Sequence, residues 1–356
     1  MSLKLGSTEL SKLYLGGLGI NKAYLGALEV FGSISAFTST WTTTGASETI
    51  QLPIANLYTI DWGDGATTTT DTNHEYLTAG QYTIKSPDTI TDFTFIGAGD
   101  VSKMINISNL GNILINGGTF QGCLNLDITA TDSVTTAISL ASSFSGCTSL
   151  VYNPSINELD VSLCENMLET FRGCSLFNQP LGNWDMSSCL TTNGMFRVAS
   201  NFNQNIDTWS VHNITNTSLM FQSASNFNSP LNSWVTTSLT LCNAMFRAAT
   251  SFNQPIGNWD MSNVTNMSLM FDQAYAFNQD ISSWDFSSVT NISNFMKSKS
   301  AANYLANYYD NLLIKWDNAV GGLVFSGMGS IKRTAAGSAA HASLSAKGFV
   351  ITDGGI

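Results

Sequence analysis

The chain has 356 residues, of which 14 are Lys or Arg and 25 are Asp or Glu, giving a net charge of −11 with only 11% charged residues. A chain that is 43% apolar and so sparsely charged folds by burying a core and does not behave as a disordered tail. It holds no run of Lys or Arg with which to grip phosphates, which argues against nucleic acid, and no stretch approaching the roughly 20 apolar residues of a membrane-spanning helix.

The first 32 residues repeat with a period of ten: LKLGSTEL from Leu3, LYLGGLGI from Leu13 and AYLGALEV from Ala23. Leu5, Leu15 and Leu25 align, as do Gly6, Gly16 and Gly26, and Leu10, Ile20 and Val30. Each copy predicts a short strand, a glycine turn and a second strand, too small to bury itself. Lys4, Lys12 and Lys22 are scattered among glycines, without the charged start, apolar run and cleavage site of a signal peptide. The expectation is synthesis in the cytoplasm and no passage through the general secretory route.

Between residues 37 and 96, alternating runs such as YTIDW and QYTI, with frequent turn signals, predict a small antiparallel β-sandwich. Asp61, Asp64 and Asp71 are calcium ligands by residue type. The string DWGDG lacks the alternating ligand spacing of a calcium loop, so turn capping is the expected role.

From about residue 105 repeated units take over, irregular at first, with Phe120, Phe144 and Phe171 spaced by 24 and 27 residues, and then with a strict period of 25. Phe171, Phe196, Phe221, Phe246 and Phe271 form one series, and Trp184, Trp209, Trp234, Trp259 and Trp284 another. A third, Phe177, Phe202, Phe227, Phe252 and Phe277, is followed each time by Asn. One unit cannot offset the entropy of ordering its own backbone. Stacked units share a continuous core, so the prediction is a solenoid whose aromatic series are buried ladders. The run Leu181-x-x-Trp184-x-Met186 has the L-x-x-L-x-L spacing of a leucine-rich-repeat strand. On such a strand Asn183, Asp185, Thr208, Ser210, Ser233, Val235, Asn258, Asp260, Ser283 and Asp285 face outward, as a row of small polar groups suited to hydrogen bonding with a glycan or a protein. All six cysteines fall on inward positions where other units carry Ala or larger apolar residues, which predicts buried free thiols. In the last segment Tyr308, Leu312, Leu313 and Trp316 have helical spacing, as a helix shielding the final unit requires.

Catalytic signals are sparse. His74 lies in the sandwich, His212 takes a repeat position occupied elsewhere by Ser or Thr, and His341 sits among Ala and Ser; no triad, zinc spacing or phosphate loop appears. The recurrence of Asp185, Asp260 and Asp285 follows from the repeat and not from a carboxylate pair. The expectation is no enzyme, no cofactor and no metal.

The unit from Phe252 to Phe271 resembles the BspA-like bacterial surface leucine-rich repeats, over roughly residues 105 to 296. The segment around DWGDG, with His74 to Tyr76 and Ala79 to Ile84, is similar to a PKD-type sandwich. The opening decapeptides resemble repeats near the amino termini of phage tail and receptor-binding proteins, where they sit against the virion. These resemblances imply a mainly β chain: a docking segment at 1–34, a PKD-like sandwich at 35–98, a BspA-type solenoid at 99–298 and a cap at 299–356. They imply a tail or fibre-associated virion protein that binds other virion proteins through its first segment and a host surface glycan or protein through the solenoid. A bacterial cell-surface adhesin is the alternative. Trimers are common among fibres, but a core closed within one chain does not need one to fold.

Overall fold

The computed structural model describes residues 36–356 apart from 97, 98, 112, 133–137, 152, 153, 158 and 319–327, and six short strands before residue 30. Those strands pair as three antiparallel hairpins with two-residue connections: β1 (Leu3–Leu5) with β2 (Thr8–Leu10), β3 (Leu13–Leu15) with β4 (Leu18–Ile20), and β5 (Tyr24–Leu25) with β6 (Leu28–Glu29). The register sets Leu3 opposite Leu10 and Leu13 opposite Ile20. The ten-residue period is thus one hairpin per copy.

Residues 37–128 form a six-stranded sheet in the order β10-β9-β12-β7-β13-β14, with a separate β11-β8 pair. The strands are β7 (Phe37–Thr43), β8 (Glu48–Gln51), β9 (Ile60–Asp61), β10 (Thr67–Thr68), β11 (Asn73–Tyr76), β12 (Gly80–Ser86), β13 (Met104–Asn109) and β14 (Asp127–Ile128). Alternation decides the faces: along β7, Phe37, Ser39, Trp41 and Thr43 are buried and the residues between them are half-buried. The buried Trp41 indole donates to Ser39 Oγ at 2.8 Å, and Tyr76 OH donates to the carbonyl of Trp62 at 2.8 Å, so both large polar aromatics are satisfied inside. The expected boundary at 98/99 is not a break in pairing. Strand β13 lies antiparallel to β7 and parallel to β14, carrying the sheet into the first repeat unit.

Beyond residue 138 the units lie in parallel register. Single bridges run Ser139 to Asn166, Thr191, Asn216, Leu241, Asn266 and Asn291 in turn. Alternate amides divide the work. The N–H groups of Thr192, Gly194, Phe196 and Val198 donate to the carbonyls of Asn216, Ser218, Met220 and Gln222 in the next unit at 2.8 to 3.0 Å. Those of Met195, Arg197 and Ala199 close turns onto residues three back. This alternation requires a left-handed residue at two places per unit: Gly194, Leu219, Ala244, Leu269 and Asn294 at one, and Gly173, Val198, Ser223, Ala248 and Gln273 at the other. A non-glycine there costs about 1 to 3 kcal/mol, which bonds to both neighbouring units offset.

Within the stack Phe171, Phe196, Phe221, Phe246 and Phe271 lie 5.7 to 5.8 Å from ring to ring, and all five, like the five tryptophans, are buried. Each tryptophan indole donates to a carbonyl 28 residues earlier, for example Trp209 to Leu181 at 2.8 Å. Pairing does not fall where the L-x-x-L-x-L spacing placed a strand. Leu181 to Met186 is a turn, with the Trp184 amide bonded to the Leu181 carbonyl, and parallel pairing sits at Thr191 to Val198. The spacing reports which side chains point inward, and a turn at this position buries the same three residues as a strand. All six cysteines are buried and free.

The chain closes with α2 (Ala306–Asn318) and α3 (Ala335–Ala346); a single turn, α1 (Pro154–Asn157), lies earlier. Helix α2 buries Tyr309, Leu312, Leu313 and Trp316, with the Trp316 ring edge-on to Phe286 and Phe295 of the last unit. The two helices touch at Gly337, where a Cβ would lie 2.2 Å from Asp310 Oδ1. Thr334 caps α3 by accepting the Ala336 amide, and it donates to Asp310. Asp353 in the tail joins Arg333, at 2.6 and 2.7 Å, to the Tyr309 hydroxyl at 3.1 Å.

Candidate functional site

All of Asn183, Asp185, Thr208, Ser210, Ser233, Asn258, Asp260, Ser283 and Asp285 are exposed, on one side of the stack. Their placement follows from the turn at Leu181 to Trp184 and its copies. Leu, Trp and Met point in, so the residues between them point out. The row is partly self-satisfied. Asp185, Asp260 and Asp285 accept the amides of Ser187, Ser262 and Ser287 at 2.9 to 3.0 Å, closing Asx turns. Those bonds lower all three carboxyl pKa values: at Asp185 and Asp260 the Ser hydroxyl is the larger cause, at Asp285 the Ser287 amide. Thr208 donates to Gly182 O at 3.1 Å, Asn258 to Asn232 O at 2.6 Å and Ser283 to Gly257 O at 2.5 Å, tying each unit to the one before. Ser233 binds Asp207 through its amide and its hydroxyl, at 2.8 and 2.7 Å.

A second polar row, unnoticed at the level of sequence, flanks the first. The side-chain carbonyls of Asn178, Asn203, Asn228, Asn253 and Asn278 each accept the backbone amide of the next unit, at 2.8 to 2.9 Å. Asparagine after the third Phe series was the available signal.

The face is not flat. An open groove of 710 Å³ crosses it, lined by Asn205, Asp207, Thr208, Trp209, Ser210, Val211, His212, Ser233 and Val235. Four of the ten residues expected to face outward, Thr208, Ser210, Ser233 and Val235, meet there. His212 Nδ1 lies 3.1 Å from Ser210 Oγ, with both side chains exposed. His74, on β11 of the separate β11-β8 pair, lies 2.8 Å from Asp64 and stacks on Trp62 at 5.1 Å, and His341 lies near Asp353 at the far end. The three histidines therefore do not converge. The carboxylates of calcium-ligand type serve the loop itself: Asp61 accepts the Gly63 amide and Asp64 the Ala66 amide, each at 3.0 Å, while Asp71 accepts the Thr68 and Thr70 hydroxyls. Among the described residues no group of three His, Cys, Asp or Glu could hold a metal ion, and no helix is long and apolar enough to cross a membrane.

One family model matches the chain, described as a Mycoplasma protein of unknown function, DUF285, over residues 136–250 and again over 205–309. The overlapping matches run together across just under half the chain, over the stacked units. A model that fits twice along one chain fits a repeated text. No curated protein and no solved structure matches.

Proposed function

We propose that this protein is a virion-associated adhesion protein, in which a BspA-like leucine-rich-repeat solenoid recognises a host surface without covalent chemistry. The observation that carries the reading is the outer row from Asn183 to Asp285: exposed amides, hydroxyls and carboxylates repeated every 25 residues on a rigid aromatic stack. Repetition suits a ligand that is itself repetitive, such as a surface polymer, because several weak contacts add when their spacings match. The match to DUF285 supports the BspA-like part. The role on a particle draws on the three amino-terminal hairpins, each too small to be stable alone and so suited to docking on another protein.

Antibody raised against the full chain tests the reading. Labelling of purified phage particles, lost when residues 1–34 are deleted from the gene, is the expected result. Labelling of intact bacteria that carry no prophage supports the second reading, a bacterial cell-surface adhesin, which the Mycoplasma description of the matching family favours. Labelling of neither overturns both.

A further inference from the structure

The outward row departs from its own text in two adjacent units. At the outward position the series reads Asp160, Asp185, Ser210, Val235, Asp260, Asp285, and at the next, inward position Val161, Met186, Val211, Thr236, Met261, Phe286. The carboxylate is missing only in the middle pair; Val211 and Thr236 accompany that loss with a small buried residue, while Val161 stands beside a retained Asp160. Trp184 stacks on Trp209 at 6.4 Å, Trp234 on Trp259 at 5.9 Å and Trp259 on Trp284 at 6.4 Å, whereas Trp209 and Trp234 form no such pair among the described residues. A void of about 10 Å³ opens beside Val211, Trp234, Thr236 and Trp259. Directly outside lies the 710 Å³ groove, which shares Val211 with the void.

We infer that this groove is the binding subsite of the face and that its ligand is a neutral saccharide. The inference rests on the recognition role proposed above and narrows it to two units. The lining offers what a sugar ring uses: hydroxyls at Thr208 and Ser210, an imidazole at His212, an amide at Asn205, and an apolar patch at Val235, which is 56% exposed, for the C–H face. Charge selects against anions. Asp207 lines the groove, Asp185 and Asp260 stand in the units on either side, and the lining contains no Lys or Arg. In the other units a carboxylate stands where Ser210 and Val235 leave the face open. There its Asx turn with the following Ser fills the position that Ser210 and Val235 leave to a ligand.

The test restores the common text. Full-length protein and the double variant Ser210→Asp with Val235→Asp are titrated by calorimetry with neutral oligosaccharides of glucose, galactose, mannose and N-acetylglucosamine, and with a sialylated oligosaccharide. Glu75→Gln, at an exposed position on β11 and outside the outer row, serves as a control, and urea midpoints establish that all three proteins fold. The expected result is binding of at least one neutral oligosaccharide, weakened at least tenfold in the double variant and unchanged in the control. Equal binding by the double variant, preference for the sialylated ligand, or no binding of any neutral oligosaccharide overturns the inference. Labelling of particles or cells in the antibody experiment, without saccharide binding here, separates that failure from failure of the recognition role itself.

Discussion

Lys299 occupies the position held by Ala199, Ala224, Ala249 and Ala274 in earlier units and by Cys174 before them. It is buried, and its ammonium donates to the carbonyls of Ala274, Tyr275, Phe277 and Asn303 at 2.5 to 3.0 Å. A small residue there lets the next unit stack, whereas a lysine reaches back into the unit before it and ties carbonyls to the segment that follows. Burial pulls its pKa down from 10.5 to about 7, against the pull of the four carbonyls. Between those two values the unfolded chain holds the proton and the folded one has largely lost it, so stability rises with pH across that window. The urea midpoint is expected to climb from pH 6.5 to pH 9 more steeply in the native protein than in Lys299→Met. Parallel curves would show that the carbonyls hold the charge through the whole range. The cysteines give a simpler expectation. Burial pushes the Cys147 and Cys189 thiols up to about 12 and raises the other four, so a thiol reagent at pH 8 modifies none in the folded protein and all six after denaturation.

Within one unit the tryptophan joins two roles, filling the core and donating its indole N–H to a carbonyl of the unit before. Trp209→Phe keeps most of the ring but removes the side-chain donor to the Leu181 carbonyl, which still accepts the Trp184 amide, at a cost of about 0.5 to 1.5 kcal/mol. Trp209→Ala adds a cavity, for about 3 to 5 kcal/mol. Urea unfolding of the two variants measures the difference. The period of 25 made the buried face of this element legible, because inward residues recur whatever backbone carries them. It misplaced the strand for the same reason: Leu181, Trp184 and Met186 bury as well from a turn as from an extended segment, and only the amide pairing at Thr191 to Val198 separates the two. The asparagine row was visible as text and illegible as structure, since nothing in F-N-Q says that the Asn178 side chain accepts the Asn203 amide. The groove was hidden because the eye follows what repeats. Ser210, Val235 and Thr236 read as noise in the series until the ring spacing and the void give them a common place.

At the scale of the molecule, the buried apolar side chains of the described residues form one cluster that runs from Phe37 in the first sheet to Leu344 in α3. In the stack, units are joined to their neighbours by backbone bonds, rings and side-chain rows, for example Thr192 to Asn216, Asn203 to Asn178 and Trp209 to Leu181. Such an array tolerates loss of a whole unit far better than loss of part of one, because stability is close to a sum of units and the interfaces between them. Deleting residues 176–200 joins Ser175 to Asn201 and returns every later Phe, Trp and Asn to its row. Deleting 176–199 leaves one residue too many at the new junction, so that Phe202 and Trp209 meet the unit ending at Ser175 out of register, while the units beyond keep their rows with one another. The first variant is expected to unfold in a single transition followed by tryptophan fluorescence, at a somewhat lower urea midpoint than the native chain. The second is expected to show exposed tryptophan emission without denaturant. If the two behaved alike, the rows would not be what sets the register, and the surface organised by them would lose its physical basis.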